Sequence, residues 1–249
     1  MLLNGCDSTD KRVLEEVVEK VYTIQGHADV SIQNRDGAVS VYGGEANEIR
    51  VQAIKKAYSR ERLNQIGVDI LRKPGGISVT TRLTGLRKWA LSDRSGTVDY
   101  AVVVPDTASI VTLEMNSGEV LLDSIRGPEV RARLNDGRIF ARNCFTNVDF
   151  AMKRGTPTLT YDWWERKQFS ARINVGLGNA WLSLPSESAF RLIAEATHGK
   201  IGNDFNDLPL TQNRSPMAMK IDQVINGGGA AIIQVQVGTG DIKISEANL

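Results

Sequence analysis

The chain has 249 residues, 41% of them apolar and only 6% aromatic, with 30 basic residues against 29 acidic ones. That length allows one large all-β domain or two ordinary ones with a substantial core, and the near-cancelling charge excludes a global field for holding nucleic acid or an anionic membrane. No run reaches the eighteen or more apolar residues that a membrane-spanning helix needs.

Residues 1–12 read as a tether. Leu3, Asn4 and Gly5 ahead of Cys6 look like the lipobox of bacterial lipoproteins, whose cysteine becomes an acylated N-terminus, with Asp7 to Arg12 as a polar spacer. Only five residues precede Cys6, fewer than a signal peptide requires. The reading therefore divides: with an upstream start Cys6 is a lipid anchor, and with Met1 as the start it is a free thiol. The second cysteine, Cys144, sits in Ala141-Arg142-Asn143-Cys144-Phe145 and reads as a small buried hydrophobe. No disulfide framework is suggested.

Residues 13–24 start with helix-like spacing and end with strand-like spacing, and a strand is expected from about Val17. Val30 and Ile32, Val39 and Val41, then Ile49, Val51 and Ala53 mark three short strands, with turns at Gly37 and at Gly43-Gly44. Ser59 to Ile66 is the best helix, capped by Ser59, with Glu61 in its first turn and Gly67 as a stop. Pro74-Gly75-Gly76 reads as a turn, and Val98, Tyr100, Val102 and Val104 form a strand that Pro105 ends.

From there the chain repeats a polar residue, glycine, any residue, then Val or Ile: Ser117-Gly118-Glu119-Val120, Asp136-Gly137-Arg138-Ile139, His198-Gly199-Lys200-Ile201 and Thr239-Gly240-Asp241-Ile242, echoing Asp36-Gly37-Ala38-Val39. Glycine accepts positive φ without a Cβ penalty, so one tight corner can recur in every unit. Gly118, Gly137, Gly155, Gly178 and Gly199 are 19, 18, 23 and 21 residues apart, and Gly240 lies 41 further on. A period near twenty fits a β-solenoid with coils of about 18–23 residues and little helix.

Val120 and Leu122, Val130, Ala132 and Leu134, Ile139 and Ala141, Leu182 and Leu184 keep period two, which puts each set on one face. No unit buries enough alone, so the core exists only when coils stack. The expected organisation is an all-β single domain over 13–249: an irregular first part 13–106, regular coils 107–202, an insertion, cap or lateral hairpin at 203–229, and final strands 230–246.

The chain resembles the DUF4097/DUF2807-type bacterial proteins labelled putative adhesins. The resemblance covers about residues 17–246 and rests on Val30 to Val41, on Val102-Val103-Val104-Pro105 before Ile110 to Val120, and on Gly227-Gly228-Gly229-Ala230 leading to Gly240-Asp241-Ile242-Lys243-Ile244. It implies a right-handed parallel β-helix and an extracytoplasmic bacterial envelope location, periplasmic or cell-surface. These are corner and core positions, so no catalytic residue comes with them.

Two surface features stand out. In Tyr161-Asp162-Trp163-Trp164-Glu165, adjacent aromatics in a strand point to opposite faces, so at most one of Trp163 and Trp164 is in the core. The outer one either stacks on a sugar or protein partner or covers a neighbouring coil at a bend. Arg126, Arg131, Arg133, Arg138, Arg142 and Arg154 crowd the same region. Arg131, Arg133 and Arg138 oppose the inward parity and form either a binding ladder or a solvated face balanced by Asp123, Glu129, Asp136 and Asp149.

Catalytic patterns are weak. No repeated Asp-x-Asp or paired-acid arrangement appears, and His27 and His198 lack zinc or triad spacing. No metal or cofactor is implied. The expectation is a non-catalytic envelope scaffold that binds a glycan or a surface protein, touching the membrane only through a lipid anchor, with a β-helix polysaccharide lyase or hydrolase as the alternative.

Overall fold

In the computed structural model, residues 12–24, 26–45, 47–84, 96–205 and 219–247 are described. Cys6, most of the tether and residues 206–218 of the expected cap lie outside them. The described residues are nearly all strand, joined in one large mixed sheet that does not close.

The first part contains β1 (Leu14–Thr23), β2 (Asp29–Gln33), β3 (Asp36–Gly44), β4 (Glu48–Ala57), α1 (Arg60–Asn64), β5 (Ile66–Lys73), β6 (Gly76–Leu83) and β7 (Thr97–Pro105). The helix is as short as its cap signals suggest: Ser59 in an extended conformation accepts a hydrogen bond from the Arg62 amide at 3.2 Å. The first strand starts earlier than its spacing implies, because all ten of its residues pair antiparallel with β4, from Leu14 opposite Ala57 to Thr23 opposite Glu48. That ladder overrides a local helical preference. Gly43 and Gly44 do not form a turn but end β3, opposite Val104 and Pro105.

The middle is the most regular region. Three long strands, β8 (Ser109–Asp123), β9 (Glu129–Arg142) and β10 (Asn147–Thr160), pair in parallel, with Gly118 opposite Gly137 and Gly137 opposite Gly155. Each of these glycines has a φ of 135° or 136°, a region closed to side chains with a Cβ. Leu134 and Ile139 are both buried although five residues apart, so the inward parity changes across Gly137. Each glycine is thus the corner where one strand leaves one facet of the sheet for the next.

The last part holds β11 (Ser170–Leu177), β12 (Ala180–Pro185), β13 (Phe190–His198), β14 (Ile201–Asn203), β15 (Met219–Ile225), β16 (Ile232–Thr239) and β17 (Ile242–Ala247). Its spatial order departs from chain order. The C-terminal β16 pairs in parallel with β11 on one side and β13 on the other, and β17 likewise lies between β12 and β14. The glycine column therefore runs Gly37, Gly118, Gly137, Gly155, Gly178, Gly240, Gly199. Gly240 does not follow Gly199 at a double period but sits between Gly178 and Gly199. The other end has the same feature, since β2 lies between β6 and β8, and β3 between β7 and β8.

Antiparallel strands flank the parallel centre. The ladder β3, β7, β4, β1 passes from parallel to antiparallel at β7, β5 lies antiparallel on β6, and β15 lies antiparallel on β13. Edge groups that further parallel units would otherwise pair are taken up in this way. The expected inward residues form one buried cluster, which includes Val120, Leu122, Ala132, Ile139, Phe150, Ile173 and Leu182. Burial of such rows supplies the main stabilisation, at about 25 cal/mol per Å² of apolar surface.

Candidate functional site: an aromatic row on the sheet face

Past the glycine corner, the outward residues of five consecutive parallel strands fall into register. Leu121 on β8 stands opposite Phe140 on β9, Phe140 opposite Thr158 on β10, Thr158 opposite Trp181 on β12, and Trp181 opposite Lys243 on β17. Their chain neighbours Leu122, Ile139, Ala141, Leu159, Ala180, Leu182 and Ile244 are buried, which fixes this row on the outer face. Phe140 is 36% exposed and Trp181 51% exposed. Strands are about 4.8 Å apart, so the two rings are anchored roughly 9.5 Å apart across the sheet. The Thr158 hydroxyl between them is shut off from solvent and has no hydrogen-bond partner.

Charged and hydroxyl residues frame the row on both sides. Toward the corner, Arg138 pairs with Glu119 on the neighbouring strand and its guanidinium lies 5.8 Å from the centre of the Phe140 ring. On the far side, Arg142 reaches Asp123 at 2.7 Å, followed in register by Thr160, Ser183 and Ser245. The hydrogen bond from Arg142 to Asp123, with the attraction of that carboxylate, raises the guanidinium pKa above its ordinary value. Opposite charges therefore pair across β8 and β9 on both sides of the row, and the far side continues with hydroxyls.

The residues singled out in the sequence occupy three separate places. Arg131 and Arg133 project from the facet before the corner and Arg138 from the facet after it, so they do not form one ladder; the physical reason is the parity change at Gly137. Each is also engaged by an acid. Arg131 meets Glu129 at 2.6 Å, Arg133 meets Asp149 at 3.3 Å and Arg138 meets Glu119. Arg126, Arg142 and Arg154 likewise pair with Glu165, Asp123 and Asp136.

Trp163 and Trp164 are not in a strand but in the irregular corner after β10. Trp164, half-buried, packs against the core aromatics, with ring centres 5.6 Å from Tyr161 and Phe169 and 5.7 Å from Phe190. Trp163 is 43% exposed, lies 5.8 Å from Phe145 and donates its indole N–H to Glu165 at 3.1 Å. Glu165 also accepts two hydrogen bonds from Arg126, at 2.5 and 3.1 Å. Burial alone would raise the Glu165 carboxyl, but the Arg126 and Trp163 hydrogen bonds outweigh it and hold the pKa below the usual value. Trp163 thus stands at the bend, partly exposed and hydrogen-bonded within an Arg126–Glu165–Trp163 group.

Among the described residues, no group of three or more His, Cys, Asp or Glu side chains is placed to hold a metal ion, and no helix is long and apolar enough to cross a membrane. Cys144 is fully buried, its Sγ facing the Arg142 carbonyl at 3.4 Å, and burial pushes its thiol pKa up to about 12.

No family model matches the chain, and no curated protein matches it. Solved structures do resemble it. A putative cell adhesion protein from Clostridium sporogenes aligns over 93% of this chain and 100% of its own, with 14% identity and a TM-score of 0.55. A putative adhesin from Bacteroides fragilis aligns over 92% and 97% with 8% identity and a TM-score of 0.30, and a putative lipid binding protein from Parabacteroides distasonis over 94% and 97% with 8% identity and a TM-score of 0.25. At 14% identity the Clostridium likeness is one of fold, and it extends over nearly the whole chain.

Proposed function

We propose that this chain is a non-catalytic binding scaffold of the bacterial envelope or surface, wound as a right-handed parallel β-helix of the putative-adhesin type, with Cys6 as its lipid anchor. The observation that carries the binding role is the in-register row of Leu121, Phe140, Thr158 and Trp181, presented on a parallel sheet whose corners are locked by glycines. Phe140 and Trp181 keep 36% and 51% of their surface exposed, and rigid aromatic side chains contribute contact area at little entropic cost. The likeness in fold to a putative cell adhesion protein supports the location. The engagement of Glu119, Asp123, Asp136 and Asp149 by arginines supports a binding role over acid–base chemistry on these facets.

The test is retention of the purified chain on isolated cell envelopes. In a Cys6→Ser background, which removes retention by an acyl chain, the chain with both rings intact sediments with the envelopes, and Phe140→Ala/Trp181→Ala stays in the supernatant while melting at a similar temperature. Equal sedimentation of both removes this face as the binding surface.

A further inference from the structure

Resting on that reading of the face, we propose that its occupant is a neutral, β-linked oligosaccharide lying across the strands, with sugar rings stacked on Phe140 and Trp181. Three features favour a glycan chain over a protein partner.

The apolar stripe is one residue wide. A stable protein interface buries about 800 Å² on each partner around a continuous apolar centre, whereas here charged and hydroxyl columns bound the row directly on both sides. A pyranose has the matching outline, with C–H groups on its faces and hydroxyls around its rim.

The rings are two strands apart, about 9.5 Å, close to the advance of two β-linked pyranose units. Thr158 holds the position between them, where a bulky side chain would block the path. β-Linked chains extend as flat ribbons and suit a row that keeps one register over five strands; α-linked chains curl away from it.

The frame is balanced in charge. Arg138 and Arg142 are each paired with a carboxylate, and both guanidinium side chains and that of Glu119 stay half or more exposed beside the row. Such paired groups exchange hydrogen bonds with sugar hydroxyls without demanding charge on the ligand.

The full chain is titrated by calorimetry with hexasaccharides of β-1,4-glucose and β-1,4-N-acetylglucosamine, with α-1,4-glucose hexasaccharide and oligogalacturonate as comparisons. The expected result is binding of at least one β-linked neutral chain, weaker binding of the other two, and a loss of roughly tenfold or more in both Phe140→Ala and Trp181→Ala. Stronger binding of oligogalacturonate overturns the neutral assignment. No β-linked binding, with envelope retention still dependent on Phe140 and Trp181, overturns the glycan proposal and leaves the binding face standing. Envelope retention independent of both rings removes the face and the glycan together.

Discussion

Gly137 and Gly118 approach so closely that a Cβ added to Gly137 would lie 1.9 Å from the Gly118 carbonyl oxygen. The same relation links Gly155 to Gly137 and Gly178 to Gly155, at 2.0 and 1.9 Å. Each corner therefore needs glycine twice, for its positive φ and for the carbonyl of the strand beneath. Gly137→Ala should cost about 3 kcal/mol or more, measured as a fall in the chemical-denaturation midpoint. Gly75 also has positive φ, but a Cβ added there would meet nothing within 4 Å, and it should lose less on the same substitution.

A strand inserted between two others cannot be removed from the end. Deleting residues 230–249 takes away β16 and β17, leaves β11 and β12 each paired on one side only, with β10, and leaves β13 without its parallel partner. The shortened chain should show no cooperative melt by circular dichroism. A melt like that of the full chain would show that the C-terminal strands lie outside the column.

Three buried acids make the protein sensitive to alkali. Burial raises Cys144 to about 12 from 9.0 and Tyr100 to about 12 from 10.0, and lifts Tyr161 well above 10.0. Above these unfolded values the unfolded chain has lost protons that the folded chain keeps, so stability falls as pH rises, by on the order of 1 kcal/mol per pH unit for each group in its window. Guanidinium denaturation at pH 8 through 11 should show this decline beginning near pH 9. Tyr161→Phe should flatten the slope from pH 10 upward while losing the hydrogen bond to the Cys144 carbonyl at 3.0 Å.

The Thr158 hydroxyl is buried without a partner, a desolvation cost of about 1–3 kcal/mol. Thr158→Val removes that cost at nearly constant volume and should raise stability by about 1 kcal/mol. A clear loss in thermal melting would show that the hydroxyl has a bonded partner.

Much of this architecture is legible locally. Period-two parity identifies Ile139, Ala141, Leu182 and Leu184 as core, the glycine corners fix the facets, and Ser59 marks the helix. The outward parity of Phe140 and Trp181 is equally readable from their buried neighbours, yet their adjacency is not. That adjacency depends on β10 contributing to two facets and on which unit stacks on which. Self-similar units carry the same glycine and the same aliphatic positions, so spacing alone cannot say that Gly240 lies between Gly178 and Gly199. The arginines look like one ladder only while parity is carried through Gly137, where the corner resets it. Trp163 and Trp164 stand out in the sequence as a pair, but the irregular corner after β10 gives them different surroundings, with Phe145, Phe169 and Phe190 around one and Glu165 bonded to the other.

The stacking order is tested most directly by disulfide trapping on the outer face of β16. Gln234 stands opposite Arg172 on one side and Ile193 on the other. Adjacent strands are about 4.8 Å apart, within the Cα separation of about 4.4–6.8 Å that a disulfide accepts, while alternate strands at about 9.6 Å are outside it. With Cys6 replaced by serine, mild oxidation should crosslink Arg172→Cys/Gln234→Cys and Ile193→Cys/Gln234→Cys, and leave Arg172→Cys/Ile193→Cys reduced. Efficient crosslinking of the third pair would place β11 and β13 side by side and contradict the inserted C-terminal strand, and with it the strand order from which the register of Trp181 and Lys243 follows.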